Sequence, residues 1–191
     1  MKKTFAIMAI GLLAACNSNE PAKTDTTTSD STKSSTSAMS TMPAIQSPYQ
    51  IGYSSSFVMD EPKNAETVLA LWKDWDNGDL SKSKDRFADS ISLHMADGSS
   101  MTGKKDSIIA SAQKFRASLG TAVSRVDAIM AVKSTDKNEH WALIWGMEKD
   151  TDAKGKVDSF YLQETWRFNN DGKADMLFQF RAAGAPPKQA K

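Results

Sequence analysis

The sequence predicts an α+β domain in which a curved antiparallel sheet packs on three N-terminal helices. Segments with helical periodicity come first, and alternating polar and apolar segments joined by turn-forming residues fill the carboxyl-terminal half. Helices segregated from a run of strands are typical of the α+β class. A chain of 191 residues has room for one ordinary domain and its tails.

An export signal precedes the domain. Two lysines, Lys2 and Lys3, are followed by an apolar stretch over residues 5–13 that is too short to span a bilayer stably. Residues 13–16 have the sequence Leu-Ala-Ala-Cys, which resembles the bacterial lipobox. We therefore predict a lipoprotein signal peptide over residues 1–15 and a lipid anchor on Cys16. An ordinary secretory signal with a chance cysteine is the alternative.

We expect the lipid on Cys16 to attach the protein to a membrane. Acyl chains on this residue would give stable anchoring, since each buried methylene contributes about 0.8 kcal/mol. Cys16 is the only cysteine, so no disulfide can form within the chain. Asn17, and not an aspartate, follows it. This favours the outer membrane, with the protein facing the periplasm.

A tether is predicted between the anchor and the domain. Residues 16–47 are rich in Ser and Thr and lack aromatic residues, so they cannot bury enough apolar surface to offset the entropy of ordering. About 30 flexible residues give a reach of roughly 30 Å. Residues 48–60 are a possible edge strand or linker, residues 61–182 are the domain, and residues 183–191 are a flexible tail.

The helices are predicted from periodicity and from the residues that end them. Val68, Leu71, Trp72 and Trp75 fall at i, i+3, i+4 and i+7, which forms one apolar stripe that Gly78 ends. Asp79 can cap a second, short helix. A third helix is predicted over residues 104–119, with Ile108, Ala112, Phe115 and Leu119 on its apolar stripe.

The strands are predicted from alternation between turn signals. The segments are residues 91–95, 122–132, 141–148, 160–168 and 174–181. Asp97-Gly98 and residues 169–172 are the clearest turns between them. The sheet must curl around the helices, because the tryptophan-bearing face of the first helix has to be covered.

Several short sequences, in this order, resemble the SnoaL-like branch of the nuclear transport factor 2-like superfamily. They are Trp-Asp-Asn-Gly-Asp-Leu at 75–80, Phe-Ala-Asp-Ser at 87–90, Gly103, and Trp-Arg-Phe-Asn-Asn-Asp-Gly-Lys at 166–173. The resemblance covers residues 62–181. It implies a cone that often encloses a pocket, and dimers that form sheet to sheet. Isomerases, cyclases, dehydratases and proteins with no known reaction share this fold, so the resemblance defines no activity.

The resemblance also supplies a test for ketosteroid isomerase chemistry. The tyrosine, the general-base aspartate and the late acid of that site correspond here to Leu71, Met95 and Glu164. Leucine and methionine can neither donate a hydrogen bond to an oxyanion nor accept a proton. The sequence therefore leans away from an isomerase of this type and leaves other catalysis undecided.

Glu164 is the leading site residue, because alternation puts it on an apolar strand face with Leu162 and Trp166. A carboxylate there must be paired, solvated in a cavity or protonated. Glu164 either lines a pocket and contacts a small apolar ligand, or it pairs with a nearby arginine or lies at the rim of the strand. The tryptophans either line that pocket or belong to the hydrophobic core. The expected ligand-pocket residues are Trp72, Trp75, Leu93, Met95, Trp145, Met147, Leu162, Glu164 and Trp166.

Other classes of site are not expected. His94 and His140 lie far apart with no third ligand beside them, so the sequence predicts no metal and no other cofactor. The 24 Lys and Arg against 23 Asp and Glu give no basic surplus, so no nucleic-acid partner is expected.

Three functions are compatible with these features. The favoured one is a lipid-anchored cell-envelope protein with a non-catalytic, small-molecule-binding or accessory domain. The alternatives are a SnoaL-like isomerase, cyclase or dehydratase that uses Glu164 as acid or base, and a protein-interaction subunit with a filled cone. The last strand carries apolar residues on both faces, including Leu177 and Phe178, which makes a homodimer through the sheet a further expectation. A cavity that touches Glu164 would favour binding or catalysis.

Overall fold

The computed structural model describes residues 45–183. The signal peptide, Cys16, the tether up to residue 44 and residues 184–191 lie outside the described residues. Within this range a seven-stranded sheet packs against two α-helices and one 3₁₀ helix. The α+β class and the curved, unclosed sheet are confirmed.

The helices follow the sequence signals closely. Helix α1 spans Lys63–Asn77, and Gly78 ends it with a φ of 73° while its N–H bonds to the carbonyl of Trp75. The second predicted helix is a 3₁₀ helix, Leu80–Arg86, whose cap Asp79 accepts a hydrogen bond from the backbone of Ser81. Helix α2 spans Lys105–Ser118.

The strands form one sheet in the order β1-β4-β5-β6-β7-β2-β3. Their bounds are β1 Phe57–Met59, β2 Phe87–His94, β3 Ser100–Lys104, β4 Thr121–Ser134, β5 Glu139–Thr151, β6 Val157–Phe168 and β7 Ala174–Ala183. The expectation of a purely antiparallel sheet is wrong at one place, because β2 and β7 pair in parallel. The chain leaves the β2–β3 hairpin through α2 and then builds β4 to β7, which brings the last strand back beside β2.

The segment before α1 holds the far edge of the sheet. The possible strand at residues 48–60 is reduced to β1, which pairs antiparallel with β4. Ser56 accepts a hydrogen bond from the backbone of Thr135 at 2.9 Å, and Ser54 donates to Asp136 at 2.5 Å. These contacts hold the entry segment along the β4–β5 turn.

The inner face of β5 is the opposite of the one expected. Ala142, Ile144, Gly146 and Glu148 are buried beneath α1, whereas Trp145 and Met147 lie on the other face. The physical reason is at Gly146, where an added Cβ would lie 2.8 Å from the ring of Trp72. Helix α1 can approach this closely only over a strand position without a side chain.

The buried face of α2 also differs from the one that its apolar periodicity predicts. Phe115 was expected on the apolar stripe but is 57% exposed, while the neighbouring Arg116 is 3% exposed. The Arg116 guanidinium donates to the carbonyls of Trp75, Asp76 and Gly120. It is buried because it satisfies carbonyls at the end of α1 that have no partner within the helix.

Candidate functional site

Glu164 lies in the interior, where β6 passes beneath α1. Its side chain is 5% exposed. One carboxylate oxygen, Oε2, accepts hydrogen bonds from the indole N–H groups of Trp72 at 2.6 Å and Trp166 at 2.9 Å. The other oxygen accepts from the amide of Gln179 at 2.9 Å. The carboxylate therefore has three donors from its own chain, and the arginine or rim position considered as the alternative is wrong.

Side chains occupy the space around this carboxylate. Trp72 lies between Glu164 and the backbone of Gly146. Leu71 is 6% exposed in the same hydrophobic cluster, and Met95 packs against that cluster. The positions that would carry a tyrosine and a base in an isomerase are therefore core positions here.

Most of the expected pocket residues do come together. The interior cluster contains Trp72, Leu93, Leu162 and Trp166 around Glu164, with Met95 against its edge. Trp75 lies at the end of α1, with its ring 6.3 Å from that of Phe115. Trp145 and Met147 are not part of this group, for the reason given at Gly146.

A second interior carboxyl group, which the sequence interpretation missed, lies on β5. Glu148 is 6% exposed, and burial raises its pKa to about 8. The charge of Asp150, a hydrogen bond with Asp150 and the charge of Glu164 contribute to this raised pKa, and the indole of Trp75 acts against them. Glu148 is thus protonated at neutral pH.

Asp150 completes this pair. Burial raises its pKa, and the hydrogen bond with Glu148 lowers it, as does the charge of Arg116. Among the described residues, Trp75 Nε1 and Asp150 Oδ1 are buried and make no hydrogen bond. A protonated carboxyl group on Glu148 is a donor of the kind that Asp150 Oδ1 lacks.

A signal for this pair was present in the sequence. Glu148 and Asp150 are two residues apart on a strand, so they point to the same face. That face also carries Ala142 and Gly146, the small residues on which a helix can pack closely. Bulky aromatics on the other face made it look like the interior.

The histidines take no part in this interior. His94 stacks on Phe178 with ring centres 4.7 Å apart, on the sheet face away from the helices. His140 Nδ1 lies 2.6 Å from the carboxylate of Asp60. Within residues 45–183, no three His, Cys, Asp or Glu side chains are grouped so that they could hold a metal ion. In the same range, no helix has the length and apolar character needed to cross a membrane.

Two surface depressions lie away from Glu164. One is a polar cleft of about 250 Å³, which the start of α1 and the β6–β7 turn form. The residues of this polar cleft are Asp60, Glu61, Lys63, Asn64, His140, Asn169, Asn170, Asp171 and Gly172. The other, of about 370 Å³, lies on the sheet face away from the helices, with Trp145, Tyr161 and Phe180 in its wall.

Comparison with known proteins identifies the fold and nothing finer. No protein-family model and no curated protein matches this sequence. Among solved structures, AusH from Aspergillus nidulans is 15% identical and has a TM-score of 0.52, with 68% of this chain and 90% of that chain covered. An NTF2-like protein from Exiguobacterium sp. 255-15 is 14% identical, with a TM-score of 0.51 and 61% and 98% coverage.

A third similar structure is an LEH-like epoxide hydrolase of M. tuberculosis. It is 9% identical and has a TM-score of 0.53, with 63% of this chain and 83% of that chain covered. Identities this low carry no information about substrate or reaction. The described domain has the nuclear transport factor 2-like fold.

Proposed function

We propose that this chain is a lipid-anchored protein of the bacterial cell envelope whose SnoaL-like domain is a non-catalytic accessory module. The observation that carries the proposal is the saturation of Glu164 by Trp72, Trp166 and Gln179. A ligand that used this carboxylate would first have to break charge-assisted hydrogen bonds, which contribute about 1.5–3 kcal/mol each. The filled interior favours an accessory role over the small apolar ligand expected at this carboxylate.

The surface that supports an accessory role is the outer sheet face, defined here by Leu143, Trp145, Met147, Tyr161, Phe178 and Phe180. These residues lie side by side, since Trp145 and Phe180 both flank Gln163 in the register of β5, β6 and β7. Phe180 is 58% exposed. Contiguous apolar patches of this kind mark interaction sites. We assign this face to a second copy of the chain, in a twofold homodimer.

Sedimentation equilibrium of the chain from residue 17 onward tests the homodimer. We expect a dimer for the natural sequence and a monomer for Phe180→Asp, because an introduced charge would be buried without a partner. Phe115→Asp is the matched control, since Phe115 is exposed to a similar degree on α2. A monomeric natural chain, or a dimer that survives Phe180→Asp, would contradict the assignment.

The anchor is tested by growing bacteria that express the full chain with an alkyne-bearing palmitate. We expect label on the protein, a mature amino terminus at Cys16, and recovery in the outer-membrane fraction facing the periplasm. Cys16→Ser should remove the label. Unlabelled mature protein would overturn the anchor, and recovery with the inner membrane would overturn the outer-membrane assignment alone.

A second candidate function, an acid–base enzyme, is favoured by one observation. Glu148 lies two residues from Asp150 on one face of β5, and burial and the charges of Asp150 and Glu164 raise the pKa of Glu148. Two carboxyls in different protonation states are the usual equipment of acid–base catalysis. Turnover of cyclisable or epoxide-bearing polyketide-type substrates that Glu148→Gln abolishes, at unchanged stability, would favour this candidate over the accessory role.

A further inference from the structure

We propose that the polar cleft binds a small zwitterion that carries a carboxylate and an ammonium group, as an α-amino acid does. The cleft lies where the start of α1 faces the β6–β7 turn, away from Glu164 and from the outer sheet face. Its lining contains donors and cations together with carboxylates. Three features of these residues carry the inference.

The first feature is the start of α1, which can bind the carboxylate. The residue before the helix, Pro62, provides no side-chain cap, and the first intrahelical bond runs from Glu66 to its carbonyl. The backbone N–H groups of Lys63 and Asn64 therefore have no partner within the helix. The positive end of a helix dipole adds to their attraction for an anionic group.

The second feature is Asn64, which points independently to a ligand. This residue lines the cleft and is 9% exposed, and its side-chain amide makes no hydrogen bond to any residue between 45 and 183. The Asn64 amide atoms are not among the fully buried atoms without a partner, so they remain accessible to a ligand in the cleft. An amide can both donate to a carboxylate and accept from an ammonium, so a zwitterion satisfies it.

The third feature is His140, which Asp60 holds in place. Asp60 lies 2.6 Å from Nδ1 of the ring, and its own side chain is only 9% exposed. This contact fixes the ring and leaves Nε2 as the nitrogen available to a ligand. The carboxylate of Asp60 is already paired, so it opposes a bound anion less than a free carboxylate would.

Carboxylates on the rim provide a place for the ammonium group. Glu61 is exposed at the start of α1, and Asp171 lies in the β6–β7 turn on the other side of the cleft. A simple anion would meet these two charges, and a simple cation would meet Lys63 and the helix start. Only a ligand with both charges has a favourable partner for each.

The size of the cleft limits the ligand. Sites for drug-sized ligands have volumes of about 300–1,000 Å³. The cleft, at about 250 Å³, lies just below that range. It therefore suits a single amino acid and excludes a long peptide as a fully enclosed ligand.

Isothermal titration calorimetry of the mature chain in detergent micelles tests the proposal. The probes are glycine, L-alanine, D-alanine and L-glutamate, with propionate and ethylamine as single-charge controls. We expect saturable binding of at least one amino acid and at least tenfold weaker binding of both controls. Equal binding of propionate, equal binding of ethylamine, or no saturable binding of any amino acid would overturn the proposal.

Variants locate the binding. Asn64→Leu and Glu61→Gln should each weaken binding at least tenfold, whereas Glu66→Gln, an exposed carboxylate of α1 that does not line the cleft, should leave it unchanged. Glu61 is exposed, so its variant keeps the test valid if Asn64→Leu fails to fold. Natural affinity in both variants would overturn the assignment to this cleft. The titration measures amino-acid binding and does not report on acylation of Cys16, so its outcome is separate from that of the proposed anchor.

Discussion

At the scale of single residues, Glu164 accepts two indole N–H groups on one oxygen and an amide on the other. The sequence located this residue correctly, because strand alternation put it on the face of Leu162 and Trp166. It could not show the donors, because Trp72 lies on a helix far away in the chain and Gln179 on another strand. Such contacts depend on how the sheet closes over α1.

We expect Glu164→Leu to lower the free energy of unfolding by about 2 kcal/mol or more, since it leaves buried indole donors unpaired. Glu164→Gln should cost less, because its carbonyl can still accept from the indoles and Gln179 can turn its amide to match. Urea unfolding measures both changes, with Glu66→Gln as an exposed control. A gain in stability for Glu164→Leu would contradict a structural role and indicate a strained functional site.

Glu148 gives the protein a pH dependence of known sign. Burial raises its pKa from the usual 4.5 of a glutamate to about 8 in the folded state. The folded state therefore binds more protons than the unfolded state in this window, so stability falls as pH rises from about 4.5 to about 8. The raised pKa of Asp150 acts in the same direction.

Thermal melting between pH 5 and pH 9 measures this effect. We expect the melting temperature of the natural chain to fall across the range and that of Glu148→Gln to fall less, since the amide cannot ionise. Glu66→Gln should follow the natural chain. Identical profiles for Glu148→Gln and the natural chain would show that Glu148 titrates as an ordinary carboxyl group.

At the scale of elements, the sequence predicted where helices and strands lie better than which faces they bury. The apolar stripe of α1, the turn at Gly78 and the cap Asp79 were found from local signals. The inner face of β5 was not, because Trp145 and Met147 on one side and Ile144 on the other make both faces apolar. Strand β3 was missed as well, since Ser100–Lys104 shows no apolar alternation.

The contact between α1 and β5 depends on Gly146. A Cβ at this position would lie 2.3 Å from the carbonyl oxygen of Arg125 and 2.8 Å from the Trp72 ring. We expect Gly146→Ala to lower the free energy of unfolding by about 1–3 kcal/mol, the usual cost of overpacking. In Gly52→Ala, the control, the new methyl group meets no atom within 4 Å. Equal stability of the two variants would contradict this close approach.

Arg116 joins the end of α1 to α2. Its guanidinium donates to three backbone carbonyls, one of them that of Trp75 at 2.6 Å. We expect Arg116→Lys to destabilise the protein nearly as much as Arg116→Ala, because an ammonium group cannot reproduce the planar fork. Chemical denaturation measures both, and Lys114→Ala on the exposed side of α2 is the control. Full stability in Arg116→Lys would contradict this prediction, because it would show that a positive charge is sufficient at this position.

At the scale of the whole molecule, α1 packs against the small residues of β5 and fills the interior together with Trp72 and Trp166, whereas Trp145 and Phe180 lie on the outer sheet face. The fold class could be predicted from the order of elements. The parallel pairing of β2 with β7 could not, because it depends on where the chain returns after four more strands. We therefore assign a structural role to the interior residues and a recognition role to the surface.

The most direct measurement of this central claim is hydrogen exchange of the tryptophan indoles, followed by nuclear magnetic resonance of the chain labelled with ¹⁵N-tryptophan. We expect the N–H groups of Trp72 and Trp166 to exchange far more slowly than that of Trp141, whose indole donates at 3.2 Å to the hydroxyl of Tyr53 at an exposed site. We also expect them to lose this protection in Glu164→Leu. Rapid exchange at Trp72 and Trp166 in the natural chain would show an open, solvated interior and contradict the claim.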